Sequence, residues 1–145
     1  NKAMFLHKAS EESVRKGKAV TVLTYLHGVK ESQLALEAIK QQDPEADIDL
    51  IELRTLKPFD IDTVRSSLAR THKAAILDES TLSGGVGATI SALIHENCYY
   101  ELDAPVRRLC MDDAPVPYAS SMEQSVVKRA SDLVQAVFAL IQNKF

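Results

Sequence analysis

The sequence predicts a three-layer α/β/α sandwich built on a mostly parallel sheet. Three observations carry that expectation. Short apolar, β-branched runs at Ala19–Tyr25 and Asp47–Leu53 alternate with segments of helical period. Ala74–Leu77 is apolar without alternation, the pattern of a strand covered on both faces. A glycine turn, Gly84-Gly85-Val86-Gly87, then leads straight into a helical stripe, as a strand–turn–helix crossover unit requires.

The segment before Ala19 is polar and weakly patterned, and residues 1–18 read as a linker or hairpin arriving from an upstream domain. The domain proper is then 19–145. The opening Asn-Lys-Ala-Met carries no initiator Met at its head and no signal-peptide pattern, so the chain reads as a fragment or a processed product. Ala-Val-Thr-Val-Leu-Thr-Tyr forms the first strand, and His27-Gly28 makes its turn. Leu34, Ala35, Ala38 and Ile39 stripe a helix ending near Asp43-Pro44. Ile48, Leu50 and Ile51 mark the second strand. Lys57-Pro58-Phe59-Asp60 breaks it, and Asp60 has the side chain of an N-cap. Ile61, Val64 and Leu68 line the next helix, which ends before His72.

In the third unit, Asp78 and Glu79 close the strand, and Val86, Ile90, Leu93 and Ile94 recur at helical spacing. Tyr99–Pro105 is a polar connector. Val106–Met111 is a fourth strand whose two arginines suit an edge position. Pro115 and Pro117 hold an extended loop that is no central strand. Ser120 and Glu123 fit a capping box, and Leu133, Val134, Val137, Leu140 and Ile141 stripe the last helix.

Composition narrows the function. With 17 Lys and Arg against 20 Asp and Glu the net charge is −3, and no basic run points to nucleic acid or to an anionic membrane. The apolar stretches fall far short of the roughly 18 residues of a membrane helix. Cys98 and Cys110 have no paired framework and read as free thiols of a reducing compartment.

The glycine turn is a candidate anion site, since helix N-termini bind anions through free N–H groups. Its spacing, however, is neither Gly-x-Gly-x-x-Gly nor a P-loop, and such glycines also serve only to bring helix against strand. Asp78 and Glu79 stand where open α/β sheets place acid–base residues, or else they hold neighbouring loops. His7, His27, His72 and His95 lack metal-ligand spacing. Ser80 and Ser83 lack a nucleophile elbow. No complete active site is visible in the residues.

Four collinear motifs then point to a family: Ile-Glu-Leu-Arg-Thr-Leu-Lys-Pro-Phe-Asp (51–60), Ser-Gly-Gly-Val-Gly-Ala (83–88), Leu-Asp-Ala-Pro-Val (102–106) and Asp-Ala-Pro-Val-Pro-Tyr-Ala (113–119). From about Lys8 onward the chain resembles the C-terminal domain of the β chain of thiamine-diphosphate-dependent 2-oxo acid dehydrogenases. The domain it resembles is also called the transketolase C-terminal domain. Leu56–Asp60, Thr71-His72, Ser83–Gly85 and Glu96-Asn97 are most similar to pyruvate dehydrogenase β chains of the cyanobacterial and plastid kind. Branched-chain relatives share the Gly-Gly pair, so a branched-chain or transketolase-type enzyme remains an alternative, as does a free-standing phosphate- or nucleotide-binding module. Tyr25-Leu26-His27-Gly28 departs from the family, many of whose members follow the tyrosine with Gly or Ser and then Arg-Met.

The resemblance implies a division of labour. Thiamine diphosphate and magnesium sit in the full enzyme between the α chain and the N-terminal domain of the β chain, and no catalytic, cofactor or metal residue is expected in this chain. It implies β–β association, with a homodimer of the isolated domain, and partners in the α chain and in the peripheral-subunit-binding domain of a dihydrolipoyl acyltransferase. Asp103 and Phe145 match docking positions of the family. The implied location is an organelle, plastid or mitochondrial matrix, or a bacterial cytoplasm.

Overall fold

The computed structural model of the chain describes residues 2–114 and 127–145. Among the described residues, five strands form one sheet in the order β1-β3-β2-β4-β5. They are β1 (Met4–His7), β2 (Ala19–Thr24), β3 (Asp47–Glu52), β4 (Ala74–Thr81) and β5 (Arg107–Met111). β2 pairs parallel with both β3 and β4, and β4 pairs parallel with β5. Only β1 runs antiparallel, along the outer edge of β3. The α-helices among the described residues are α1 (Glu11–Arg15), α2 (Gly28–Gln42), α3 (Ile61–Thr71), α4 (Val86–Cys98) and α5 (Ala130–Ile141).

Residue alternation along the strands divides the core into two layers. Val20, Val22, Ile48, Leu50, Ala75 and Leu77 face α2 and α5, where Ala35, Ile39, Leu133, Val137 and Leu140 meet them. Leu23, Ile51, Ala74 and Ile76 face α3 and α4 and pack on Val64, Leu68, Ile90 and Ile94. Each fully buried Leu, Ile or Val adds about 1.5–3 kcal/mol against exposure. The three-layer expectation therefore holds, and β5 lies at an edge as its arginines suggest.

Four local features depart from the sequence reading. Residues 1–18 do not behave as a linker, because β1 is part of the sheet and two buried aspartates bind the stretch that follows it. Asp47 accepts from the Ser10 N–H at 3.0 Å and pairs with His7 Nε2 at 2.8 Å. Asp49, fully buried, accepts from the Ala9 N–H at 2.8 Å, from Ser67 Oγ at 2.7 Å and from Arg70. Arg70 is also bonded to the Ala9 carbonyl. On α2, Leu34 is 46% exposed, and Ser32, Ala35 and Ile39 form the buried stripe instead. Gly28 is not the turn glycine but the first residue of α2, and the left-handed position falls on Leu26 (φ 51°). Strand β4 runs past Asp78 to Thr81, with an irregular register between Leu77 and Thr81 against β5.

Asp60 does cap α3, accepting from the Thr63 N–H at 3.2 Å and from its hydroxyl at 2.7 Å. His72 ends that helix in the left-handed conformation. The polar connector Tyr99–Pro105 opens with a 3₁₀ turn at Tyr99–Glu101. The loop at Pro115 and Pro117 and the capping box at Ser120 and Glu123 lie outside the described residues.

Candidate functional site

The carboxyl end of the sheet is where an α/β fold of this order opens a crevice, between β2 and β4, whose following helices leave on opposite faces. Here that position is occupied by Asp78. Strand alternation after Ala74 and Ile76 puts its side chain on the α3/α4 face, where only 3% is exposed. Oδ1 accepts from the Tyr25 hydroxyl and from the Ser80 N–H at 2.9 Å. Oδ2 accepts from the Ser80 hydroxyl and, at 2.6 Å, from the Gly87 N–H. The Cys110 thiol lies 3.9 Å away. Burial alone would raise the Asp78 pKa, but the bonds from Ser80, Tyr25 and Gly87 outweigh it and hold the carboxyl below its ordinary value. The same burial and the carboxylate together push the Tyr25 hydroxyl up.

The glycine turn fits around this carboxylate. Gly84 adopts φ +69°, which a side chain rarely takes. A Cβ on Gly87 would lie 2.8 Å from Asp78 Oδ2 and 3.0 Å from Cys110 Sγ, so only glycine lets the helix start this close. The Val86 N–H donates to Ser80 Oγ at 3.0 Å. At the candidate anion site of Gly84, Gly85 and Gly87, the donors at Val86 and Gly87 are thus engaged by the chain's own hydroxyl and carboxylate. Asp78 stands where a bound anion would stand and complements the helix dipole itself.

The other candidates are dispersed. Glu79 is half-buried at the strand end. Ser83 donates to Asp113, fixing the tip of the turn to the stretch after β5. His7 pairs with Asp47, and His27 lies 3.5 Å from Glu31, which also receives the Ala130 N–H at 2.8 Å. His72 Nδ1 bonds the Glu101 carbonyl, and His95 bonds the Ser91 carbonyl one turn back on α4. Among the described residues, no group of three or more His, Cys, Asp and Glu side chains could hold a metal ion.

Asp103 and Phe145 lie at the opposite, amino end of the sheet. Asp103 is exposed, and its N–H donates to the His72 carbonyl at 2.8 Å, just before β4 begins. Beside it Tyr99 and Tyr100 are 66% and 97% exposed and meet edge to face, with ring centroids 5.5 Å apart. Sequence reading treats this pair as part of a polar connector. Two adjacent tyrosines in such a connector are the one available signal, but exposure is a tertiary property. Phe145 follows a capped helix end: the Lys144 N–H bonds the Ala139 carbonyl and the Asn143 N–H bonds the Leu140 carbonyl, a Schellman arrangement with Asn143 at φ 53°. That end of α5 reaches Lys18 and Asp43, at the start of β2 and the end of α2. The fold thus brings Asp103 and Phe145 to one end of the sheet but to opposite layers.

Comparison with known proteins is consistent with this architecture. The family described as "Transketolase, C-terminal domain" matches residues 10–132. The chain belongs to the transketolase C-terminal domain family. A subunit of chloroplastic pyruvate dehydrogenase from Arabidopsis thaliana, "Pyruvate dehydrogenase E1 component subunit beta-2", is 39% identical over 133 residues, covering 90% of this chain and 32% of that protein. The corresponding subunit from Porphyra purpurea is 40% identical over 135 residues, covering 91% and 39%. The mitochondrial subunit from Dictyostelium discoideum is 35% identical over 128 residues, covering 88% and 35%. The chain thus spans about a third of the length of these relatives. A solved structure titled "Split gene transketolase, inactive beta4 tetramer" superposes with a TM-score of 0.78 at 17% identity, covering 99% of this chain and 42% of that one, a likeness of fold. In this member of the family, Asp78 sits buried at the carboxyl end of the sheet, between β2 and β4, and is bonded to the start of α4.

Proposed function

We propose that this transketolase C-terminal domain is the assembly domain of a pyruvate dehydrogenase first-component β subunit. The observation that carries the reading is 39% identity over 90% of the chain to a subunit bearing that name. The parent reaction is the oxidative decarboxylation of pyruvate with acetyl transfer to a lipoyl group. Its thiamine diphosphate and magnesium belong to the α chain and the N-terminal part of the β chain, and no step of the reaction is assigned to a residue here. The domain's contribution is β–β association and docking of the acyltransferase's peripheral-subunit-binding domain at Asp103 and Phe145. The location proposed is an organelle or a bacterial cytoplasm, in keeping with the chloroplastic and mitochondrial relatives.

Two features support an assembly role. An apolar recess of about 670 Å³ lies open between α2 and α5, lined by Ala38, Val134, Phe138 and Ala139, with Leu34 exposed nearby on α2. Interfaces of obligate assemblies are apolar in this way. At the carboxyl end of the sheet, by contrast, Asp78 is held among the described residues by the chain's own Tyr25, Ser80 and Gly87. The test is titration of the full chain with the acyltransferase's peripheral-subunit-binding domain at low and high salt, beside Asp103→Ala and a deletion of Phe145. Salt-sensitive binding that either change weakens is the expected result. Absence of binding by folded wild-type chain overturns the docking role.

A further inference from the structure

The recess at the amino end of the sheet is built from one short stretch. His95, Tyr99, Tyr100, Leu102, Asp103, Ala104 and Pro105 line a shallow concavity of about 470 Å³. Its aromatic content is unusual for an open surface. Tyr100 is 97% exposed and Tyr99 66%, and their rings stand at 82° to one another, so the pair presents ring faces to solvent and not to the core. The core beneath them is closed without either ring, by Cys98 at 0% exposure.

Charge says what the rings face. Asp103 is the carboxylate that lines the recess and is exposed, His95 is its other titratable side chain, and among the described residues no lysine or arginine lines it. Arg65, on adjacent α3, is turned onto the Asn97 carbonyl at 2.9 Å. An aromatic face carries negative potential, and here the Asp103 carboxylate reinforces it. That combination attracts a cationic side chain over the ring and a hydrogen-bonded ammonium or guanidinium at the carboxylate.

We propose that Tyr99 and Tyr100 form, with Asp103, a cation-binding clamp for a lysine or arginine side chain on the basic face of a docking partner. The inference rests on the reading of Asp103 as a docking residue and adds the aromatic half of the surface. Tyr100 receives the alkyl stem and charged head on its open face. Tyr99, held edge-on to it, fixes the ring's orientation. Asp103, whose backbone is anchored to the His72 carbonyl, takes the charge. The partner face is therefore basic, and an acidic or purely apolar partner does not fit.

The test is calorimetric titration of the full chain with the acyltransferase's peripheral-subunit-binding domain, comparing wild type with Tyr100→Ala, Tyr100→Leu, Tyr100→Phe and Asp103→Ala. A urea midpoint for each variant checks that it is folded, which the exposure of Tyr100 favours. Tyr100→Ala weakens binding about five- to thirtyfold, equivalent to about 1–2 kcal/mol. Tyr100→Phe stays within about twofold of wild type because the ring face is kept, and Tyr100→Leu is as weak as alanine because apolar area alone does not hold a cation. If Asp103→Ala weakens binding while Tyr100→Ala leaves it unchanged, the clamp is refuted and the docking role stands. If Tyr100→Leu binds like wild type, the ring serves only as apolar surface and the clamp is refuted again. Failure of the wild-type chain to bind removes the docking role and the clamp with it.

Discussion

Replacing Asp78 tests whether the helix start at the glycine turn is organised around an internal carboxylate. In Asp78→Ala the Gly87 N–H, which is buried, loses its acceptor. Such an orphaned donor costs about 1–3 kcal/mol. The charge-assisted bonds from Tyr25 and Ser80 are lost as well, each with an intrinsic value of about 1.5–3 kcal/mol. Both side chains are only partly buried, so water recovers a share. The sum is about 4 kcal/mol, a large part of the roughly 5–15 kcal/mol that stabilises an ordinary domain.

Asp78→Asn separates the contributions. An amide oxygen at the Oδ1 position still accepts from Tyr25 and Ser80 N–H, but the NH₂ then faces the Gly87 N–H, donor against donor. The cost is about 2 kcal/mol, traceable to that one clash. The pH dependence follows from the depressed carboxyl. A group whose folded pKa lies below its unfolded value near 3.9 contributes stability above that value and loses it as the pH falls through the folded pKa. Urea unfolding at pH 7 and at pH 3 should therefore show a gap between wild type and Asp78→Asn that narrows in acid. An Asn variant within about 0.5 kcal/mol of wild type at pH 7, the span of an ordinary surface substitution, or a gap that widens as the pH falls, refutes the reasoning.

Two further outcomes follow from the same chemistry. Asp49→Ala leaves Arg70 without its buried partner, and the Ala9 N–H and Ser67 hydroxyl without an acceptor, so urea unfolding should show a loss of about 3–5 kcal/mol. In a double-mutant cycle, adding Arg70→Met should recover part of that loss, whereas additive losses would mean the two side chains are not coupled. Cys98 and Cys110 are both buried free thiols, and burial pushes both pKa values up, assisted at Cys110 by the Asp78 charge. Neither should react with a thiol reagent until the chain unfolds, and rapid labelling of the native chain would contradict their placement.

Much of this protein is legible in its amino-acid order. Alternating strand and helix patterns suffice for the layered sheet, because burial on both faces leaves continuous apolar strands and burial on one side leaves striped helices. Asp60 is legible as a cap, since capping is a contact between residues three apart. The four collinear motifs are enough to suggest the family. What eludes the sequence is contact across long separations. Tyr25, Asp78 and Cys110 are far apart in the chain and meet only because β2, β4 and β5 are neighbours. Residues 1–18 look like a linker because a short edge strand has little periodicity of its own, and what holds it are Asp47 and Asp49 on β3.

The same division runs through the surface. Periodicity places Leu34 in a helical stripe, yet its side chain is left largely in solvent, because the three-dimensional direction of α2 decides which of two adjacent apolar positions is covered. Tyr99 and Tyr100 read as a connector, and only the turn after α4 reveals that their rings are left in solvent beside Asp103. Local periodicity is encoded residue by residue and survives in one dimension. Exposure, and the convergence of an acceptor with its donors, depend on how whole elements pack, and so belong to the tertiary structure alone.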